Sequence, residues 1–155
     1  MNILDILLGK KKTINHPILG DLTSQRIKGN NKTKTYSWYG EIKLDKKHEK
    51  TSLFLDGNNS EPNSAQINGI VELMNGWETK HIQTIEHKIR SKKLNLNNNY
   101  NNWKSEFYVG MISPIYSNHK KLEFEVTLEP INNQQEGFLS ITYKDNEITE
   151  LESLE

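Results

Sequence analysis

One stretch written in helical period interrupts a chain otherwise written in strand period, and that switch limits the fold more than any other feature. Over residues 62–92, Ile67, Ile70, Val71, Met74, Trp77, Ile82, Ile85 and Ile89 recur mostly at steps of three to five, most of them on one stripe. On either side the apolar period is two. In "YSWYGEIKL", residues 36–44, Tyr36, Trp38, Gly40, Ile42 and Leu44 fall on one face, and Ser37, Tyr39, Glu41 and Lys43 on the other. In "KLEFEVTLEP", Leu122, Phe124, Val126 and Leu128 point one way, and Glu123, Glu125 and Thr127 the other. The pattern predicts an α+β domain: an antiparallel sheet of about six to seven strands, in the order β-β-β-α(α)-β-β-β-β, with the helices packed on one face.

The remaining segments fit that frame. "HPILGDLTSQRI" reads as one strand, with Ile18 and either Gly20 or Leu22 inward. "TSLFLD" places Leu53 and Leu55 on one face, and "GFLSITYK" does the same for Leu139, Ile141 and Tyr143. "EFYVGMISPIY" is a strand in which Pro114 marks an edge or a bulge. "DNEITEL" supplies a tight Asp145-Asn146 turn and a last strand. In the helical stretch Pro62 suits a first turn, and Asn75-Gly76 predicts two helices or a kink. Lys88, Arg90, Lys92 and Lys93 complement the negative end of the helix dipole. "NLNNNYNN" has no apolar period, so residues 94–103 read as a solvated Asn-rich loop. Residues 1–12 read as a short amphipathic helix (Ile3, Leu4, Leu7, Leu8) closed by Gly9 and a Lys run, docked on the domain. A chain of 155 residues fits a single domain, 1–155.

Composition removes several classes of function. There is no cysteine, which excludes disulfides and thiolate metal sites. The start carries its basic cluster after the apolar residues, the reverse of a secretory signal, and no window has the roughly 18 apolar residues of a membrane span. The expected location is the cytoplasm. A net charge of zero argues against nucleic acid as the partner. That zero hides an asymmetry. Residues 1–103 hold 16 Lys/Arg against 10 Asp/Glu, a net of +6, and residues 104–155 hold 4 against 10, a net of -6.

No catalytic constellation stands out. Glu78 and His81 have the E-x-x-H spacing of di-iron bundles, but such a site needs a second copy and further carboxylates from other helices. His81 lies on the apolar stripe, where a hydrogen-bonded histidine at the core edge is the plainer reading. His81 and His87 are six apart and do not share a helix face; His48 and His119 sit in Lys-bearing turns. There is no G-x-S-x-G and no Gly-rich phosphate loop. No metal, cofactor or catalytic residue is expected. The candidate binding residues are the outward ones: Tyr39 and Glu41 on the aromatic strand, and Glu123 and Glu125 in the acidic third.

Short motifs also carry a resemblance. They are His16-Pro17, Gly20 and Leu22; Trp38, Gly40 and Ile42; Glu61-Pro62, Asn75 and Trp77; and the closing "DNEITEL". The layout resembles a family of uncharacterised bacterial domains of unknown function. Similar small α+β domains occur among immunity proteins of bacterial polymorphic toxin systems. The resemblance implies a non-enzymatic protein-binding domain, immunity-like, that neutralises a partner toxin; it brings no catalytic residues with it. The alternative class is a small-molecule or carbohydrate binder, or a cryptic hydrolase, with a pocket between the sheet and the helices.

Overall fold

The computed structural model describes residues 11–26, 36–44, 50–96, 100–115, 122–132 and 137–154. Among them eight strands form one sheet: β1 (Thr13–His16), β2 (Gly20–Arg26), β3 (Tyr36–Ile42), β4 (Thr51–Gly57), β5 (Phe107–Pro114), β6 (Glu123–Pro130), β7 (Phe138–Lys144) and β8 (Glu147–Leu154). Their order in space is their order in the chain. Between β4 and β5 come α1 (Ser64–Gly76), a π-helical turn (Trp77–His81), α2 (Ile82–Ser91), a 3-10 turn (Leu94–Leu96) and the short α3 (Trp103–Glu106).

The α+β class agrees with the two periods, but the sheet differs from the expected one in two ways. First, it is not wholly antiparallel. β4 and β5 run parallel, through Ser52↔Met111 and Leu53↔Ile112. A hairpin reverses the chain, whereas a helical crossover returns it in the same direction, so the strands flanking the helices pair parallel. The sheet is two antiparallel four-stranded meanders joined at this seam. The buried Thr51 hydroxyl adds a bond across it, donating to the Val109 carbonyl at 2.7 Å.

Second, there are eight strands, because "HPILGDLTSQRI" is not one strand: it holds the end of β1, a turn and β2, and "TINH" before the turn pairs back on β2. Pro17 has no N–H to extend a ladder, and Gly20 takes a φ of +73° that other residues rarely adopt. The His16 imidazole closes the turn, its Nδ1 accepting from the N–H groups of Ile18 at 3.3 Å and Leu19 at 3.2 Å. Ile18, expected inward, is therefore 54% exposed at the tip and Leu19 is buried in its place, while Leu22, one of the two alternatives for the other inward position, is buried as expected.

The inward face of the sheet carries Trp38, Leu53, Leu55, Phe124, Val126, Leu128, Leu139, Ile141 and Tyr143, all buried, and the helices add Ile70, Leu73, Trp77, Ile85 and Ile89. The helix lies against the second meander closely. A Cβ at Gly69 would come within 2.9 Å of the Phe124 ring, and the His81 ring meets Tyr143 edge-on at 5.2 Å. Leu122 falls before β6 begins and is exposed.

The helical stretch starts two residues after Pro62, at Ser64. Asn63 is the N-cap, its side chain accepting from Ala65 N–H at 2.9 Å and Gln66 N–H at 3.3 Å, while Pro62 bridges back to Gly57. Asn75-Gly76 leads not to a break but to the π turn, the wider coil that helices adopt to absorb an extra residue. The Asn-rich segment is not simply solvated, as expected from its composition. Tyr100 and Trp103 are buried, Tyr100 stacks 5.7 Å from Phe107, and the Trp103 indole donates to Glu86 at 2.9 Å. The apolar start, residues 1–10, lies outside the described residues.

Candidate functional site

Strand alternation that sends one set of side chains under the helices sends the other set to the opposite face. Register makes the outward positions line up. Glu41, Ser52, Met111, Thr127, Ser140 and Glu152 form one continuous row from β3 to β8. The four candidate residues all belong to this face, in two separate places. Tyr39 and Glu41 sit on β3; Glu123 and Glu125 sit on β6, three strands away, or about 14 Å at the usual spacing.

The β3 pair is internally satisfied. The Tyr39 hydroxyl donates to Glu41 at 3.0 Å, the Lys50 ammonium pairs with Glu41 at 2.7 Å, and Tyr39 tilts against Phe54 at 5.5 Å. The Lys50 hydrogen bond, then that of Tyr39, lowers the Glu41 pKa, and Glu41 raises that of Lys50. Glu123 is likewise engaged, by a salt bridge to Lys144 directly opposite on β7, which holds the Lys144 pKa up.

Glu125 is different. Its Oε1 accepts from the Ser140 hydroxyl at 2.8 Å, a neutral donor. Two residues beyond Thr127 stands Glu129, which the alternation of β6 also turns outward and which the sequence reading did not single out. Its Oε2 accepts from the Tyr108 hydroxyl at 2.9 Å. Among the described residues neither Glu125 nor Glu129 forms a salt bridge, whereas Glu41, Glu86, Glu123 and Glu147 all do.

These two carboxylates border an open depression of about 510 Å³, with Tyr108, Met111, Thr127 and Phe138 among its walls. Its shape comes from a bulge. The β5/β6 register shifts between Val109 and Met111, leaving Gly110 unpaired, and a Cβ at Gly110 would run into the Glu129 carboxylate. The missing side chain is what lets Glu129 lie over the strand. Thr127, at the centre of the row, is only 6% exposed.

Comparison with family models, with curated proteins and with solved structures finds no match to this chain. Tyr108 and Glu129 face each other in the register, a cross-strand relationship that a single sequence does not display. Glu129 itself was within reach, since it continues the outward series of Glu123, Glu125 and Thr127 by one more step.

The histidines separate by burial. His87 is exposed, and His48 and His119 lie outside the described residues. His81 is 2% exposed and, contrary to the hydrogen-bonded histidine expected at the core edge, its Nδ1 has no hydrogen-bond partner among the described residues. Burial first, then Lys80, lowers its pKa. Among the described residues no group of three or more His, Cys, Asp or Glu is placed to hold a metal, and no helix is long and apolar enough to cross a membrane.

Proposed function

We propose that this chain is a non-enzymatic, cytoplasmic protein-binding domain, immunity-like in role, that neutralises a partner toxin through the outward face of β5–β7. The observation that carries the reading is the charge of that face. The carboxylates of Glu125 and Glu129 share one depression with no cation paired to either among the described residues, in the third of the chain with a net charge of -6. An acidic patch of this kind raises the association rate of a basic partner by electrostatic steering. The family resemblance of the short motifs is the support for the immunity-like role.

The test begins with pull-down from the native host and mass spectrometry, followed by association kinetics of the recovered partner. Glu125→Lys is the cleaner variant, since Glu123→Lys would set a second lysine beside Lys144. Slower association at low ionic strength and a flatter salt dependence are expected. An unchanged rate would move attention to the basic N-terminal region. The tyrosine and phenylalanine walls of the depression favour, as a second reading, a carbohydrate or other small molecule at the same place, and a glycan panel checks it. A hydrolase is supported less, because Glu125 and Glu129 lie four residues apart on one strand, about 13 Å between Cα atoms, not across a cleft.

A further inference from the structure

We propose that the depression over Thr127 is a seat for the guanidinium group of an arginine side chain, presented by a protein partner; the source, though not the chemistry, rests on the protein-binding reading above. Three separate features point to a planar cation. The first is acceptor geometry. Glu125 uses Oε1 for Ser140 and Glu129 uses Oε2 for Tyr108. Among the described residues the remaining oxygen of each carboxylate accepts nothing. Two carboxylate oxygens at the rim of one depression, with no paired cation among the described residues, offer acceptors to a guanidinium, which presents five N–H groups in a fixed fork.

The second feature is Thr127. It lines the depression, is more than nine-tenths buried, and its hydroxyl has no hydrogen-bond partner among the described residues. The hydroxyl is not among the fully enclosed unpartnered atoms, so it opens on the depression, where it can accept from a donor that enters.

The third is the apolar part of the wall. Tyr108, Met111 and Phe138 border the same space. Aromatic faces and a thioether suit the weakly hydrated, flat guanidinium and suit the compact, strongly hydrated ammonium of lysine much less. The same wall argues against free arginine. Among the described lining residues there is no Lys or Arg, so the α-carboxylate of the free amino acid would meet the carboxylates of Glu125 and Glu129 with no described cation to offset them. An arginine within a polypeptide has no such carboxylate.

The test titrates the full chain, followed by amide NMR, with Nα-acetyl-arginine methylamide, the lysine and citrulline counterparts, and free arginine. Saturable shifts centred on Met111, Thr127 and Phe138 are expected with the arginine probe. Its affinity should exceed that of neutral, isosteric citrulline at least tenfold and that of lysine several-fold. Glu129→Gln and Thr127→Val should each weaken it about five- to tenfold at unchanged melting temperature, and Glu41→Gln should leave it alone. Equal binding of citrulline, shifts centred elsewhere, or indifference to Glu129→Gln would overturn the proposal. Free arginine binding as tightly as the methylamide would overturn its assignment to a protein partner. A recovered partner whose association responds to Glu125→Lys, but whose affinity ignores both Glu129→Gln and lysine replacement of its own arginines, would overturn the arginine seat and leave the docking face standing.

Discussion

Lys88 on α2 reaches the backbone of the last strand, its ammonium donating to the Thr149 carbonyl at 2.8 Å. Thr149 is the extra residue of a bulge: Thr142 pairs with Glu150 and Tyr143 with Ile148, and Thr149 is passed over. Lys80 does the same for the Asn146 carbonyl in the β7–β8 turn, also at 2.8 Å. β8 is the end of the sheet, and an end strand offers unpaired backbone groups to any other chain. A bulge and two lysines drawn from the helix layer blunt this edge.

Lys80→Ala with Lys88→Ala should therefore change association more than stability. Both lysine contacts are at the surface, so the loss in folding free energy should stay within about 1 kcal/mol. Dimers and larger species should rise in size-exclusion chromatography with light scattering. Lys92→Ala with Lys93→Ala removes the same charge from exposed positions just past the end of α2. If that control associates equally, net charge and not edge protection is responsible.

Trp38 sits fully buried on the inward face of β3, and its indole N–H donates to the Asn58 carbonyl at 3.1 Å. Trp38→Ala should cost about 3–5 kcal/mol, a large share of the 5–15 kcal/mol of a typical domain. Trp38→Phe keeps much of the apolar volume and loses the hydrogen bond, so it should cost less than half as much. Urea unfolding distinguishes the two. A Trp38→Ala midpoint close to that of the unchanged protein would contradict the burial.

The inward rows of β3, β4, β6 and β7 are legible from alternation alone, because one buried face imposes period two on Trp38, Leu53, Phe124 and Ile141. The hairpin at His16–Gly20 is not. Apolar Ile18 and Leu19 continue the hydrophobic run, while the turn rests on a side-chain cap and a positive φ at Gly20. The parallel seam is hidden for another reason: it depends on where the crossover returns the chain, and Ser52 and Met111 are 59 positions apart. The acidic face was legible residue by residue, but its depression needed the register that sets Tyr108 against Glu129 and the gap at Gly110.

A buried imidazole and a half-buried carboxylate should divide the pH dependence of stability between them. The His81 imidazole is held below its ordinary value of 6.5, by burial first and then by Lys80; the Tyr143 hydroxyl beside it, pushed up to about 12, stays neutral. The unfolded chain then takes up the proton first, so stability is intact above about pH 7 and falls as pH drops below 6.5. Glu86 acts lower. Its carboxyl is brought down from 4.5 to about 2, chiefly by the Trp103 indole, with Lys104 and Arg90 contributing. Its stabilisation is present above 4.5 and is lost as pH falls toward 2. His81→Leu should flatten the fall between pH 7 and 5, and Glu86→Gln the fall between 4.5 and 2, in urea midpoints taken across pH. An unaltered slope in either window would show that the group does not change its proton affinity on folding.

Gly110 and Glu129 compete for one volume, and that makes their energetics non-additive. An alanine methyl at position 110 would occupy the space of the Glu129 carboxylate and pull it from the Tyr108 hydroxyl. Gly110→Ala alone should cost about 1–2 kcal/mol, the usual range for overpacking. Glu129→Ala alone loses one hydrogen bond to a charged acceptor, about 1.5 kcal/mol. With the carboxylate gone the methyl meets no obstacle from it, and alanine loses less conformational entropy in a strand than glycine. In the Glu129→Ala background Gly110→Ala should therefore be neutral or slightly stabilising, a coupling of about 1 kcal/mol or more in a double-mutant cycle. Strict additivity would mean that the carboxylate does not lie over the bulge, and the depression would lose the feature that shapes it.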